Sequence, residues 1–320
     1  MITLLLSPDQ VEVAASLLKE EEIVAFPTET VYGLGARIYS EDALKKIFAA
    51  KNRPADNPLI IHVASLQQIE EIAEEIPQIF YRLAEAFFPG PLTVILKKRR
   101  HLSSILSAGL ETIAIRMPSH PIAKALIEMV GEPIAAPSAN LSGRPSATSH
   151  LHVLEDFEGR IAAVINGGSS DLGIESTVVN LVSEGPLLMR PGSITREEIE
   201  RVLEMPVELC LHIKNGKTPS PGMKYRHYAP KAPIHLYTSE KDIQEHLASA
   251  PAKKRMLLAR NRVDETKNLP FFPLTAKALY ETLRLSDREG YQEILVYCDK
   301  EIQSSAGLMN RLHHATLQDK

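Results

Sequence analysis

The chain has 320 residues, 44% hydrophobic and 24% charged, with 36 Lys and Arg against 40 Asp and Glu for a formal charge of −4. These proportions are those of an ordinary globular protein; they exclude collagen-like and low-complexity classes and do not indicate a strongly basic nucleic-acid module. The length suits two domains with a core each, and Cys210 and Cys298 share no zinc-ligand or disulfide spacing, which fits a reducing cytosol.

Ser7-Pro8-Asp9-Gln10 opens the first predicted helix, Ser7 capping it and Gln10 completing a capping box, with Val11, Ala14, Ala15 and Leu18 on one face. Ile23–Phe26 is an apolar run stopped by Pro27 and reads as a buried strand. Pro27–Gly35 reads as a polar, glycine-punctuated loop, after which Ser40 caps a helix carrying Leu44, Ile47 and Phe48 on its core face. Further strands are predicted at Leu59–Val63, Leu92–Leu96, Thr112–Arg116, Ile134–Ala136, Ala162–Ile165, Ser176–Leu181 and Leu187–Arg190. Helices are predicted at Leu66–Ala73, Pro77–Phe87, Pro121–Val130 and Glu197–Leu203. Residues 1–204 therefore form one α/β domain, a twisted mixed sheet with helices packed on it.

Residues 205–232 lose this rhythm and carry Pro206, Pro219, Pro221-Gly222 and Pro230, so they read as a linker, one that contains Lys224-Tyr225-Arg226-His227-Tyr228. So long a segment without regular structure is expected to be a functional loop or disordered, and its aromatic and cationic cluster suits a lid more than a passive tether. In 233–320, predicted strands at Ile234–Tyr237, Met256–Ala259 and Ile294–Tyr297 alternate with helices at Ile243–Leu247 and Ala276–Leu283. That is a smaller Rossmann-like α/β domain without GxGxxG. No stretch free of Asp, Glu, Lys and Arg exceeds eleven residues, the length of Pro133–Gly143. A membrane span needs about 20, and the N-terminus has no signal-peptide pattern, so a cytoplasmic protein is expected.

Chemistry-bearing residues sit at strand ends, where open α/β sheets bind ligands. Lys51-Asn52-Arg53-Pro54 can grip a polyanion, a point charge beside a bidentate fork; alone it equally fits a solvated helix end whose cations complement the dipole. Asp56-Asn57-Pro58 adds a rigid polar turn. His62 lies within a strand, where a histidine is more often structural. Arg116 shares a strand face with Thr112 and Ala114 and needs an anionic partner; the only nearby acid in sequence is Glu111, so a bound carboxylate is a candidate. Pro137-Ser138-Ala139-Asn140 is either an anion nest or an ordinary Ser/Asn-rich loop. Lys97-Lys98-Arg99-Arg100 reads as a solvated turn before an RNA contact. No GxSxG, P-loop or HExxH motif occurs.

Together these segments resemble the YrdC/Sua5 family. The resemblance rests on Phe26–Ala36, Lys51-Asn-Arg-Pro with Asn57-Pro-Leu and His62, Pro89-Gly-Pro-Leu-Thr93, and Ile115-Arg-Met-Pro118. It extends through Ala136-Pro-Ser-Ala-Asn140, Glu175-Ser-Thr177, Leu188-Met-Arg-Pro-Gly192, Pro221–Pro230 and Gly307–Leu312, in the long, two-domain form. It implies a YrdC-like domain with a deep basic cavity, followed by a Sua5 domain. It also implies an enzyme making L-threonylcarbamoyladenylate and pyrophosphate from L-threonine, bicarbonate and ATP with Mg2+. The product would go to the machinery of t6A modification of tRNAs reading codons that begin with A; direct tRNA contact stays open.

By the same resemblance, Thr30, His62, Arg116, Ala136 and Ser176 surround threonine, with Arg116 on its carboxylate. Lys51 and Arg53 are catalytic and, with Asn57, Thr112, Ser138, Asn140, Ser146 and Arg190, surround ATP, while Tyr228 closes over the nucleotide. No metal ligand from the protein is implied. Two other classes remain: an RNA-binding module, disfavoured by the acidic balance, and a carbamoyl-transfer domain of hydrogenase-maturation type, which would bring zinc-finger and acylphosphatase segments that this chain lacks.

Overall fold

The computed structural model describes residues 2–210, 227–249, 252–263, 266 and 268–317. The chain divides into two compact units, one formed by residues up to 142 with 146–225, the other by 143–145 with 226–320. The linker cluster Lys224-Tyr225-Arg226, and with it most of the expected lid, lies outside the described residues.

The first unit runs β1 (Leu4–Leu6), α1 (Val11–Lys19), β2 (Val24–Phe26), β3 (Gly33–Arg37), α2 (Glu41–Lys51), β4 (Ile60–His62), α3 (Leu66–Ile72), β5 (Ala73–Glu74) and α4 (Gln78–Phe87). It continues with β6 (Leu92–Lys98), α5 (Ser104–Ser107), β7 (Thr112–Arg116), α6 (Pro121–Val130), β8 (Ile134–Ala135) and α7 (His150–Phe157). It closes with β9 (Ala163–Ile165), β10 (Thr177–Asn180), β11 (Leu187–Arg190), α8 (Arg196–Leu203) and β12 (Glu208–Leu209). The strands form one mixed sheet in the order β1-β9-β2-β3-β8-β4-β7-β6-β10-β11-β12, with β5 beside β6.

Local chemistry sets several boundaries. Ser40 accepts from Ala43 N at 3.2 Å to start α2, and Thr195 and Glu198 form a full capping box on α8. The first helix departs from expectation. Ser7 N donates to Gln10 Oε1 at 2.9 Å, but Gln10 N also closes a turn onto Ser7 O, so the helix begins at Val11 and not at Pro8. The predicted loop at Pro27–Gly35 ends in a strand, β3. Its glycines make room for an aromatic ring: a Cβ at Gly35 would stand 2.9 Å from Phe26 Cε1.

The two sheet faces are covered unequally. One face carries the main core, including Leu34, Ile61, Val94, Ile115 and Val179, with residues of α2, α4, α7 and α8. The other face is packed by α1 and α6 only over β1, β9, β2, β3 and β8. Beyond them the same face holds a small cluster, Ile60, Ile95, Ala114, Val178 and Met189, to which, among the described residues, no helix of this unit contributes. Here polar side chains gather. The linker assigned by sequence to 205–232 begins too early: Val207 is in the main core and β12 pairs in parallel with β11.

The second unit contains β13 (Ile234–Tyr237), α9 (Glu240–Ser249), β14 (Arg255–Ala259), β15 (Phe271–Pro273), α10 (Ala276–Arg288), β16 (Glu293–Tyr297), α11 (Lys300–Ser304) and α12 (Ala306–Thr316). Its parallel sheet, ordered β13-β16-β14-β15, agrees with the Rossmann-like expectation. Residues 143–145 belong to it through Ala229 N to Gly143 O at 2.9 Å and Arg284 Nη2 to Pro145 O at 2.7 Å. Among the described residues no helix is long and apolar enough to cross a membrane.

Candidate active site

Strand register builds the first half of the site. His62 on β4 pairs with Arg116 on β7, and Arg116 with Thr93 on β6. Registered residues share a face with Cβ atoms roughly 5 Å apart, so imidazole, guanidinium and hydroxyl stand in one row. Arg116 is 4% exposed. Its Nη1 donates to Thr30 Oγ1 at 2.7 Å and its Nε to Gly90 O at 3.3 Å, while Nη2 lies 2.6 Å from Glu29 Oε1. The anionic partner that a strand arginine requires thus comes from the chain itself, from Glu29, and not from Glu111. A guanidinium has five N–H groups; Nε and one N–H of Nη1 are bonded, and Nη2 faces Glu29 as an ion pair without hydrogen-bond geometry, so both terminal nitrogens keep N–H groups.

Thr93 Oγ1 and Ser176 Oγ are 2.7 Å apart. Arg190, at the end of β11, donates from Nε to Ser176 O at 3.1 Å and from Nη2 to Ser176 Oγ at 3.3 Å. A Cβ at Gly192 would stand 2.4 Å from Thr177 N, so only glycine lets the β11 exit lie this close. His62 is buried and its Nδ1 has no hydrogen-bond partner. Burial, then the adjacent Arg116, pushes its pKa down to about 3, so the ring is neutral at physiological pH. For Glu29, burial pulls the pKa up but the Arg116 charge and hydrogen bonding outweigh it, and the carboxyl stays ionised.

A second group forms around α2. Lys51, 1% exposed, donates from Nζ to Ser138 O and Asn140 O, each at 2.5 Å. The solvated-helix-end alternative therefore fails for this residue, which ties α2 to the Pro137–Asn140 turn. Arg53 Nη2 holds the next turn through Asn57 O at 3.3 Å and Pro58 O at 3.1 Å. Asn57 Oδ1 is buried without a partner, as is His62 Nδ1; such atoms are usually satisfied, so each suits a ligand group. Ser146 is fully buried and donates to Glu175, the neighbour of Ser176.

Ala136 stands beside the row, following β8 opposite Ile60, which shares a strand face with His62. Ala136 is fixed by its N–H to Ile60 O at 2.9 Å. Thr112 starts β7 opposite Lys97, four residues before Arg116, roughly 13 Å along the strand. Tyr228 belongs to the second unit, where it is 5% exposed, stacks on Tyr280 at 5.4 Å and lies 5.6 Å from the Arg311 guanidinium. The basic run is engaged locally: Lys97 pairs with Glu74 and Glu75, Lys98 Nζ donates to Leu102 O, and Arg99 Nε to Glu70 O and Ala73 O. Arg99 and Arg100 are exposed and Arg100 lies in a turn, as the solvated-turn reading expects, while Lys97 and Lys98 end β6. Sequence reasoning gave no role to Glu29, Thr93 or Glu175. For Glu29 a signal existed: it is the only charged residue between Ile23 and Ala36. Among the described residues no group of three or more His, Cys, Asp or Glu side chains converges as a metal site.

Buried arginines and hydroxyls gathered on one face of a mixed sheet, beside a buried lysine, define an α/β protein with a polar site on its sheet. The chain belongs to the Sua5/YciO/YrdC family: the family model described as "Telomere recombination" matches residues 16–192, and that of the "Threonylcarbamoyl-AMP synthase, C-terminal domain" matches 194–316. The threonylcarbamoyl-AMP synthase of Pyrococcus abyssi is 44% identical over 319 residues, covering 96% of this chain and 94% of that one. The enzyme of the same name from Bacillus subtilis is 43% identical over 320 residues, covering 96% and 92%. The crystal structure of P. abyssi Sua5 complexed with L-threonine superposes with a TM-score of 0.91 at 42% identity, covering 99% of this chain and 98% of that one.

Proposed function

We propose that this chain is an L-threonylcarbamoyladenylate synthase acting in the cytoplasm. It joins L-threonine, bicarbonate and magnesium-bound ATP, releasing pyrophosphate and water, and hands the adenylate to the t6A transferase machinery for tRNAs that read codons beginning with A. The carrying observation is the buried Arg116 row, which suits a threonine carboxylate, in a chain whose full-length relatives bear the synthase name.

Threonine's amine bonds to the carbon of bicarbonate, water leaves, and a proton is released. A carbamate oxygen then attacks the α-phosphorus of ATP and the bond to pyrophosphate breaks. No protein nucleophile is required, so the protein's contribution is position and charge. Thr30, His62, Arg116, Ala136 and Ser176 receive threonine. Lys51, Arg53, Asn57, Thr112, Ser138, Asn140, Ser146 and Arg190 receive the nucleotide and carbamate, the magnesium ion arriving on the triphosphate, and Tyr228 contacts the nucleotide. The assay is pyrophosphate release with mass detection of the adenylate. Release must depend on both threonine and bicarbonate; release without threonine, or none at all, defeats the reading.

A further inference from the structure

The pocket assigned to threonine contains an ionised acid that the reaction above does not use. The Glu29 carboxylate lies 2.6 Å from Arg116 Nη2, and both side chains are more than nine-tenths buried. Its backbone is clasped: Leu172 N donates to Glu29 O at 2.8 Å and Gly173 N to Thr30 O at 3.1 Å. The neighbouring rings add no charge, since burial depresses the pKa of both His62 and His120. Thr28, Thr30, Thr93 and Ser176 are neutral hydroxyls. Arg190, the next cation along the row, starts three strands from Arg116, roughly 14 Å between backbones, and its guanidinium is held by Ser176 O and Oγ at the far end of the row. Around Arg116 the two charges therefore cancel, and this end of the row is close to electrically neutral.

We propose that Glu29 sets the specificity of this pocket: by neutralising Arg116 it admits an amino-acid zwitterion and turns away a lone anion. The proposal rests on the reading of this pocket as the threonine site. A buried arginine without a counter-charge would take any small anion, and the reaction brings bicarbonate and phosphate groups close by. With Glu29 in place, an entering anion adds an uncompensated negative charge to a poorly solvated site. Threonine adds none, because its ammonium balances its carboxylate. This is discrimination by a repulsive element, not by an extra contact with the right ligand.

The test compares threonine with 3-hydroxybutyrate, the same skeleton without the amine, by calorimetric titration of the full-length chain. The wild-type chain is expected to bind 3-hydroxybutyrate about 100-fold more weakly, and inorganic phosphate is expected not to compete with threonine. Glu29→Gln keeps the shape and removes the charge; the gap should narrow to about tenfold or less, with phosphate now competing. Glu29→Asp keeps the charge and should keep the gap. The proposal is overturned if the wild-type chain binds both ligands equally, or if folded Glu29→Gln retains the full gap. Should Glu29→Gln fail to fold, the wild-type gap and the phosphate competition decide. A wild-type chain that binds neither ligand overturns the threonine reading, and the proposal with it.

Discussion

Arg116 and Lys51 are both buried cations, yet their surroundings give them different work. Arg116 keeps N–H groups beyond its bonds to Thr30, Gly90 and Glu29. Arg116→Lys retains the charge but loses the planar fork. The threonine KM should then rise about tenfold, the equivalent of one charge-assisted bond, while the ATP KM stays within about twofold. Steady-state kinetics with each substrate varied decides it, and equal effects on both would place Arg116 at the nucleotide. Lys51 spans two backbone carbonyls. Lys51→Ala strands both in a buried turn, at about 1–3 kcal/mol each. Its loss of turnover should therefore come with a lower melting temperature, and an unchanged melting temperature would show that the turn holds without it. Arg116's place on a strand face was legible from alternation in Thr112–Arg116; its partner was not, because Glu29 approaches from a different loop, a tertiary fact that no local pattern encodes.

Elements with their own start and stop signals were legible. Helix α6 begins with Pro121 after His120 and ends at Gly131, as predicted. Strand β3 was missed because Gly33-Leu34-Gly35 reads as punctuation, and those glycines answer to the Phe26 ring, not to a turn. Helix α7, capped by Ser149, was missed because the Ser-, Asn- and Pro-rich run from Pro137 to Ser149 reads as one long loop leading into it. The C-terminal edge of the first unit has consequences for truncation. Ile199 and Leu203 of α8 are buried in the main core, and Arg82 Nη1 donates to Leu203 O at 2.9 Å. Ending the chain after Gly192 strips these side chains from the core, each worth about 2–5 kcal/mol on truncation. That chain should therefore fail to fold, whereas a chain ending after Cys210 keeps α8 and β12 and should give a cooperative melt. Circular dichroism of both truncations checks this; a folded chain ending at Gly192 would show α8 to be dispensable.

Across the whole molecule, buried titratable groups set an order of acid failure. His62 accepts a proton near pH 6.5 when unfolded but not until about 3 when folded. Between those values the unfolded chain binds more protons, so stability falls as the pH falls. The slope reaches about 1.4 kcal/mol per pH unit, or about 2 kcal/mol between pH 6.5 and 5. Burial depresses His120 and His150 in the same unit, adding in the same direction. In the second unit the dominant group is Glu293, 2% exposed, flanked by Arg255, His246, Lys253 and His235. Burial raises its pKa, but the Arg255, His246 and Lys253 hydrogen bonds outweigh that and hold it at about 2. Its contribution is complete above the ordinary carboxyl range near 4.5 and is lost only as the pH falls toward 2. His235 shifts down by burial, but at 39% side-chain exposure solvent screens most of its effect. The first unit should therefore weaken between pH 6.5 and 5 while the second holds until below 4.5. Amide hydrogen exchange read by mass spectrometry, corrected for intrinsic rates across this range, assigns opening to each unit. His62→Asn should flatten the first unit's dependence above pH 5, and a second unit that opens first on acidification would overturn the order.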